Sequence, residues 1–422
     1  MRIAIVGAGI SGLVAAHLLH REHEIVVFEA GSYAGGHTNT VRVDTEDATH
    51  HVDTGFIVMN DRNYPNFTRL LARLGVATQP THMSFSVKAE DEDFEYAGTP
   101  RGLFCQPRNA LSPRFQRMVL DLLRFNARCR ELLTSAGHDR SAEGGGESLG
   151  EFLERHRFSR AFVERLVVPQ VSAVWSADPG QMRSFPVRFM AEFFANHGML
   201  GFRDRPRWST VSGGSARYVE ALTAPFGERI RLDCPVRSIE RTHDHVRVRA
   251  AGCEPEDYDH VVIAAHSDQA LALLADPSDR ERELLGAIPY QRNEAVLHTD
   301  SRLLPRRRAA RSAWNFHLLR EPRPLSTITY YMNHLQRLTA DRDFCVTLNR
   351  SDAIDPEHVI RRIDYAHPVY TPAGVAAQAR VGEISGLRQR THYCGAYWGW
   401  GFHEDGVRSA MRACAPFGVA LA

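Results

Sequence analysis

A glycine-rich turn set between a strand and a helix constrains this chain more than any other feature. Arg2-Ile3-Ala4-Ile5-Val6 is a short apolar run rich in β-branched residues, the pattern of a strand buried in a parallel sheet. It leads straight into Gly7-Ala8-Gly9-Ile10-Ser11-Gly12, a G-x-G-x-x-G, and then into a helical pattern carrying Leu13, Ala16, Leu18 and Leu19. A second strand, Glu24-Ile25-Val26-Val27-Phe28, ends at Glu29, twenty-two residues after Gly7. In that order the parts make a dinucleotide cradle. Gly7 permits the turn, Gly9 lets a pyrophosphate approach the backbone, and Gly12 lets helix and strand pack closely. The N–H groups of the helix start, Ser11 among them, face the phosphates, and Glu29 can accept hydrogen bonds from the ribose hydroxyls.

Shortly after the acid comes Gly35-Gly36-His37-Thr38-Asn39-Thr40. Together with the cradle it resembles the extended FAD fingerprint of the superfamily of amine oxidases, phytoene desaturases and protoporphyrinogen oxidases. There the acid is followed by Gly-Gly-Arg-x-x-Thr/Ser. The resemblance implies FAD rather than NAD, with Gly35, Gly36, His37 and Thr38 joining Gly7, Gly9, Ser11, Gly12 and Glu29 around it. His37 stands where the family's arginine usually does. The segment His51-Val52-Asp53-Thr54-Gly55-Phe56 continues the likeness, as the stretch that returns the chain to the flavin ring. On local chemistry it reads equally as a strand ending in a turn.

The C-terminal run Thr391 to Gly406 resembles the closing motif of the same superfamily: a strand ending in glycine, an aromatic loop, then a helix starting near Gly-aromatic-x-Glu-x-Gly. By that resemblance Gly395, Phe402, Glu404 and Asp405 join the cofactor residues, and Val236, in a Pro-Val pair, places its backbone against the adenine. Many relatives have an acid at Ala396-Tyr397 that holds the ribityl hydroxyls, a role Glu404 or Asp405 could take here. Tyr397, Trp400, Phe402 and His403 are the candidates for the reactive face of the flavin. As aromatics they could form a substrate cage or only pack against the ring. Finer matches at 35–40, 83–87 and 401–406 resemble a bacterial branch of FAD-binding oxidoreductases found beside cyclopropane or methyl-branched fatty-acid synthases.

The fold expected is α/β. Residues 1–76, 210–286 and 385–422 would form a discontinuous Rossmann-type, glutathione-reductase-like FAD-binding domain. Residues 77–209 and 287–384 would form an interleaved α+β substrate domain of helices and a mixed sheet. In the first, the runs Ser238 to Glu240, His245 to Arg249 and Tyr258 to Ala264 read as strands. In the second, Tyr64 to Val76 precedes it as an amphipathic helix, and Met83 to Val87, Thr327 to Asn333 and Phe344 to Asn349 read as strands. Asp91 to Glu95 reads as an acidic turn, Ser141 to Gly150 as a flexible loop, and 152–168 as helical. Phe185 to Phe202 is an aromatic stretch that is either core or the wall of an apolar tunnel. The cluster Arg306-Arg307-Arg308 with Arg311 reads as a solvated loop.

Charge and cysteine usage narrow the function classes. A formal net charge of +1 gives no general pull toward nucleic acid. Seven cysteines with no C-x-x-C suit a reducing compartment, with neither a disulfide framework nor a metal site. Because cleavage after the apolar N-terminus would destroy the glycine motif, the chain reads as mature cytoplasmic protein. From Pro113 a basic amphipathic helix, Arg114 to Arg130, is either a solvated surface helix or a peripheral contact with the inner membrane face. Lys88 is the one lysine in the chain. The leading expectation is an FAD-dependent oxidoreductase abstracting hydride from an apolar substrate, desaturating or oxidising a methylated or cyclopropane fatty-acyl chain. The rivals are a flavin amine oxidase that makes hydrogen peroxide and a non-catalytic FAD-binding partner of a lipid-modifying enzyme. Oligomeric state has no sequence signal.

Overall fold

The computed structural model describes residues 1–422 except 47, 136–145, 202, 204 and 422. The first apolar run forms the strand Arg2–Val6, with Ile3 to Val6 buried. It is the central strand of a five-stranded, wholly parallel sheet. The order is Ile230–Arg231, Glu24–Phe28, Arg2–Val6, His260–Ile263, Thr391–Tyr393. This is the Rossmann-type sheet the sequence pointed to. Its helix Ile10–Leu19 is buried on nearly every side, because the helix His403–Cys414 packs against it as well as the sheet.

The run Tyr258 to Ala264 divides into two strands. Glu256–Tyr258 closes an antiparallel meander with Val236–Arg241 and Val246–Ala250, while His260–Ile263 enters the parallel sheet. Asp259 makes the break: its carboxylate accepts from Arg2 N at 2.7 Å and its own N–H donates to Arg2 O at 2.8 Å.

A second sheet has seven strands in the order Val359–Pro368, Tyr290–His298, Cys345–Leu348, Ile328–Tyr331, Trp314–Leu318, Phe85–Ala89, Glu95–Ala97. Among these neighbours only Trp314–Leu318 and Phe85–Ala89 run parallel, which makes the sheet mixed. That parallel pair joins two stretches far apart in the chain. Glu95 is a buried strand residue here rather than part of a turn. The Arg307 guanidinium reaches it at 2.7 Å and Asp93 at 2.8 Å, so the arginine cluster is anchored to this sheet edge.

Four helices, Pro113–Thr134, Leu149–Arg155, Val168–Trp175 and Val187–Asn196, supply most of the aromatic core beside this sheet. Ser148 caps the second in a capping box with Glu151. The helical pattern at 152–168 is interrupted. A short turn at Arg160–Phe162 passes through a π turn at Val163–Val167 before Val168–Trp175, whose Pro169 has no N–H to donate. Residues 141–145 of the expected loop, and Phe202 of the aromatic stretch, lie outside the described residues. A small antiparallel sheet of Met59–Asn60, Trp208–Val211 and Thr78–Pro80 crosses both expected boundaries near 76 and 210. Among the described residues no helix is long and apolar enough to cross a membrane.

Candidate active site

The glycine turn sits at the carboxyl end of the central strand, where open α/β sheets bind ligands. Helix Ile10–Leu19 starts at Gly9 with no side-chain cap and no acid in its first turn. Its N-terminal donors therefore remain available to an anion. A Cβ built on Gly9 would meet nothing within 4 Å, whereas one on Gly12 would fall 1.8 Å from Gly7 O. One glycine leaves room for a guest; the other lets the backbone pack on itself. Glu29 accepts Ala8 N at 2.7 Å and Gly31 N at 2.8 Å, one on each oxygen, leaving further lone pairs for ribose hydroxyls. A surface trough lined by His20 to Val26 with Arg229 and Arg231 lies by the amino ends of these strands, away from the cradle.

The Gly35-Gly36 segment is bonded directly to the first turn, through Gly35 N to Ala8 O at 2.8 Å. Beyond it, His37 is half-buried among rings. It stacks on Tyr365 with centroids 4.8 Å apart, and His367 lies at 5.3 Å and His266 at 6.2 Å. His266 in turn stacks on Tyr290 at 4.4 Å. Burial, and then each ring's histidine neighbour, push His37 and His266 down to about 4 and His367 to about 3. All three are neutral at pH 7. An imidazole thus stands where the family's guanidinium usually does.

Thr38 ties this segment to the C-terminal helix. Its hydroxyl bonds Tyr218 OH and, at 2.9 Å, His403 Nε2. His403 is buried, stacked on Phe56 at 3.6 Å and held to Tyr218 at 3.0 Å, so it buttresses the helix start instead of lining an open face. Glu404 and Asp405 also serve that start. Glu404 accepts Phe67 N at 2.9 Å and Asn66 Nδ2 at 2.6 Å, capping helix Pro65–Arg73, and Asp405 accepts Trp400 N and Phe402 N, both at 3.1 Å. Their partners here are protein groups of the helix starts and the aromatic loop. Gly395 N donates to Ser409 Oγ at 2.9 Å, and Val236 opens the meander, buried.

The four candidate aromatics do not stay together. Tyr397 is buried behind the parallel sheet with Val6, Phe28 and Ile288, together with Trp398. Trp400 and Phe402 turn the other way, onto the aromatic stretch: Phe402 stacks on Phe193 at 5.1 Å, and Trp400 lies 6.3 Å from Phe189. Trp175 Nε1 donates to Trp400 O at 3.2 Å, and Tyr370 packs on Phe189 at 5.0 Å.

A family model described as flavin containing amine oxidoreductase matches residues 10–316. The chain belongs to this family. It is 25% identical over 283 residues to a Mycobacterium tuberculosis protein named "Putative flavin-containing monoamine oxidase AofH", a match covering 65% of this chain and 59% of that relative. Among solved structures it is similar to cyclohexylamine oxidase from Brevibacterium oxydans, with a TM-score of 0.71, 18% identity and 98% of both chains covered. It is also similar to a structure described as a CLA-producing fatty acid isomerase from P. acnes, with a TM-score of 0.64, 16% identity, and 99% of this chain and 98% of that one covered. These two likenesses concern the fold.

FAD is the cofactor of this flavin family, and the residues present fit it. The open space at Gly9, the uncapped helix start and Glu29 suit the pyrophosphate and ribose. Among the described residues, His37 Nε2, next to the Gly35-Gly36 segment, is a buried atom without a hydrogen-bond partner, as a polar atom facing a missing polar group would be. Sequence reasoning missed His266, Tyr290, Tyr365 and His367. His266 follows the carboxyl end of strand His260–Ile263, a position rule that could have flagged it. Tyr365 and His367 share one face of a long strand by period two and carry no local motif.

Two predictions follow from this geometry. Gly9→Leu should fold with an unchanged thermal midpoint for the FAD-free protein yet retain no FAD, because the side chain enters open space that the pyrophosphate needs. Gly12→Ala should instead fail to fold stably, and Gly9→Leu protein that stays yellow at full stoichiometry would misplace the phosphate. The histidine set makes stability pH-dependent. Each folded-state value lies below the unfolded value near 6.5, so the unfolded chain binds more protons in acid. Stability is full above about pH 6.5 and is lost as pH falls toward 4, by about 3 kcal/mol per ring at the limit. Urea midpoints at pH 7.5 and pH 5 should show this fall, reduced in His367→Gln. Equal midpoints at the two pH values would contradict it.

Proposed function

We propose that this chain is an FAD-dependent oxidoreductase that removes hydride from an apolar substrate, an acyl chain being the substrate class. The observation that carries the reading is the neutral aromatic wall at the C-terminal helix start, formed by Trp175, Phe189, Phe193, Tyr370, Trp400 and Phe402. The two acids beside it face backbone N–H groups, so the wall presents rings that exclude water and align a hydrocarbon. FAD, when bound, supplies the hydride acceptor. An alkyl branch or double bond on the substrate would stabilise charge developing at the reacting carbon. The fatty acid isomerase among the similar folds supports an acyl substrate.

Oxidation of an amine is the second reading. The family description and the names of AofH and cyclohexylamine oxidase favour it, and Trp400 with Phe402 could hold a cation by their faces. Many amine oxidases of the superfamily place a lysine near flavin N5. Here Lys88 Nζ donates to Arg302 O at 2.8 Å and Leu304 O at 3.0 Å, at the sheet edge beside Glu95 and apart from the flavin segments. Anaerobic mixing separates the readings. Branched or unsaturated acyl substrates should bleach the flavin, within about twofold of the same rate in Lys88→Met, since the lost hydrogen bonds to Arg302 O and Leu304 O lie apart from the flavin segments. Rapid bleaching by a simple amine, abolished in Lys88→Met, would replace the acyl reading with amine oxidation. Flavin that stays oxidised with both classes would leave a non-catalytic FAD-binding role.

The acyl reading extends to where the substrate is met. Residues 100–134 carry seven arginines against one aspartate and one glutamate, and expose Phe104 at 52%, Leu111 at 83%, Leu120 at 55% and Leu123 at 48%. Leu120 lies one turn from both Arg117 and Arg124 on the same helix face, an arrangement suited to anionic headgroups above acyl chains. The protein should sediment with phosphatidylglycerol vesicles at low salt and not with phosphatidylcholine vesicles, and a Leu111→Asp, Leu120→Asp variant should lose this. Equal sedimentation with both lipids, or with neither, would remove the membrane contact.

A further inference from the structure

Outside the active site, two cysteines that no part of the oxidoreductase reading uses are in contact. Cys234 Sγ and Cys253 Sγ are 3.7 Å apart. Cys253 is the one exposed cysteine among the seven, and Cys234 is buried beneath it. The chain around Cys234 is also the chain around the ribose end of the cradle. Cys234 N donates to Glu29 O at 2.9 Å, Asp233 N donates to Gly31 O at 2.9 Å, and Glu29 N donates to Arg231 O at 2.9 Å. Cys234 is followed at once by Pro235-Val236, the pair that the resemblance sets against the adenine. Cys253 sits on the far side of the meander's second turn, whose Ala251 N donates to Pro235 O at 2.9 Å. Burial and the contact with Cys253 push the Cys234 thiol up, against a smaller opposing pull from the Arg231 guanidinium, so the exposed Cys253 is the sulfur a peroxide reaches first.

We propose that Cys234 and Cys253 are a dithiol–disulfide pair, oxidised by a peroxide, that loosens the adenosine end of the FAD site when it closes. Cys253, the accessible thiol, attacks the peroxide: its S–O bond forms, the O–O bond breaks, and water leaves as Cys253 becomes a sulfenic acid. The Cys234 sulfur then attacks Cys253 Sγ. The S–S bond forms, the S–O bond breaks, and the hydroxide leaves as water with the Cys234 proton. Two thiols lose two electrons in all, and one hydrogen peroxide becomes two waters. The sulfurs must close from 3.7 Å to about 2 Å, and whatever part of that closure Cys234 takes is passed to the segment hydrogen-bonded to Glu29 and Gly31. The inference holds whichever substrate the flavin oxidises, since the peroxide can be supplied from outside.

The test uses the full chain without substrate. After one equivalent of hydrogen peroxide, tryptic mapping under non-reducing conditions should join the peptide holding Cys234, residues 232–237, to the one holding Cys253, residues 250–280. Titration should then show FAD bound about fivefold or more weakly, a coupling of ordinary size, and dithiothreitol should restore it. Cys253→Ser, which alters only an exposed turn, should bind FAD normally and be indifferent to peroxide. Cys253 oxidised to sulfinic acid with no cross-link, a cross-link to a different cysteine, or the 234–253 link with unchanged FAD affinity would each overturn the proposal. So would an equal peroxide-driven loss of affinity in Cys253→Ser.

Discussion

The architecture depends on one close approach of backbone to backbone. At Gly12 the helix comes so near the first turn that any Cβ would overlap Gly7 O, and Gly7 itself takes φ +102° against Ala264, just past the adjoining strand His260–Ile263. The same crowding recurs where helix His403–Cys414 crosses helix Ile10–Leu19: a Cβ on Gly406 would lie 2.7 Å from Ile10 Cγ2 and 3.0 Å from Ser11 Oγ. The two ends of the chain are thereby held against one helix. Glycine loses more freedom on folding than other residues, a cost offset here by the dense burial of Leu13, Val14, Val407 and Ala410 around the crossing. Because the crossing sets the position of both helix starts, it also sets where the phosphates and the flavin can lie.

Around that frame, the site departs from a charged design toward a neutral, desolvated one. A guanidinium at position 37 would carry its charge whatever its surroundings. An imidazole half-buried among Tyr365, His266 and His367 gives its charge up instead. Stacking among neutral rings replaces ion pairing as the force holding the Gly-Gly segment to the long strand Val359–Pro368. Three hydroxyl and imidazole groups, Thr38, Tyr218 and His403, then link it to the C-terminal helix without any net charge. The result suits a reaction in which the protein contributes shape and exclusion of water more than acid–base groups.

What the sequence made legible follows from the range of each signal. The strand, turn, helix and acid of residues 2–29 are contiguous, and each part has a steric or electrostatic reason that operates locally, so Gly7, Gly9, Gly12 and Glu29 could be placed by spacing alone. The parallel pairing of Phe85–Ala89 with Trp314–Leu318 was not legible, because nothing in either run names a partner more than two hundred residues away. The run from Tyr258 to Ala264 looked continuous because only Tyr258 of the first strand falls within it, and the break lies in a hydrogen bond from Arg2. The ring cluster of His37, His266, Tyr290, Tyr365 and His367 was hidden similarly: its members come from four separate segments and meet only in three dimensions.

The split of the C-terminal aromatics follows the same logic one step further. Tyr397, Trp398, Trp400 and Phe402 are close enough in sequence to suggest one cage, but the loop reverses between them. Gln378 Nε2 donates to Tyr397 O at 2.8 Å and to Gly399 O at 2.6 Å, holding the first half of the loop against helix Pro372–Gln378. Asp405 holds the second half through Trp400 N and Phe402 N. With the backbone fixed at both ends, Tyr397 and Trp398 have only the core of the parallel sheet to pack on, while Trp400 and Phe402 meet Phe189 and Phe193. The ring count facing the substrate side is therefore set by Gln378 and Asp405, two polar residues whose hydrogen bonds decide which way a run of aromatics turns.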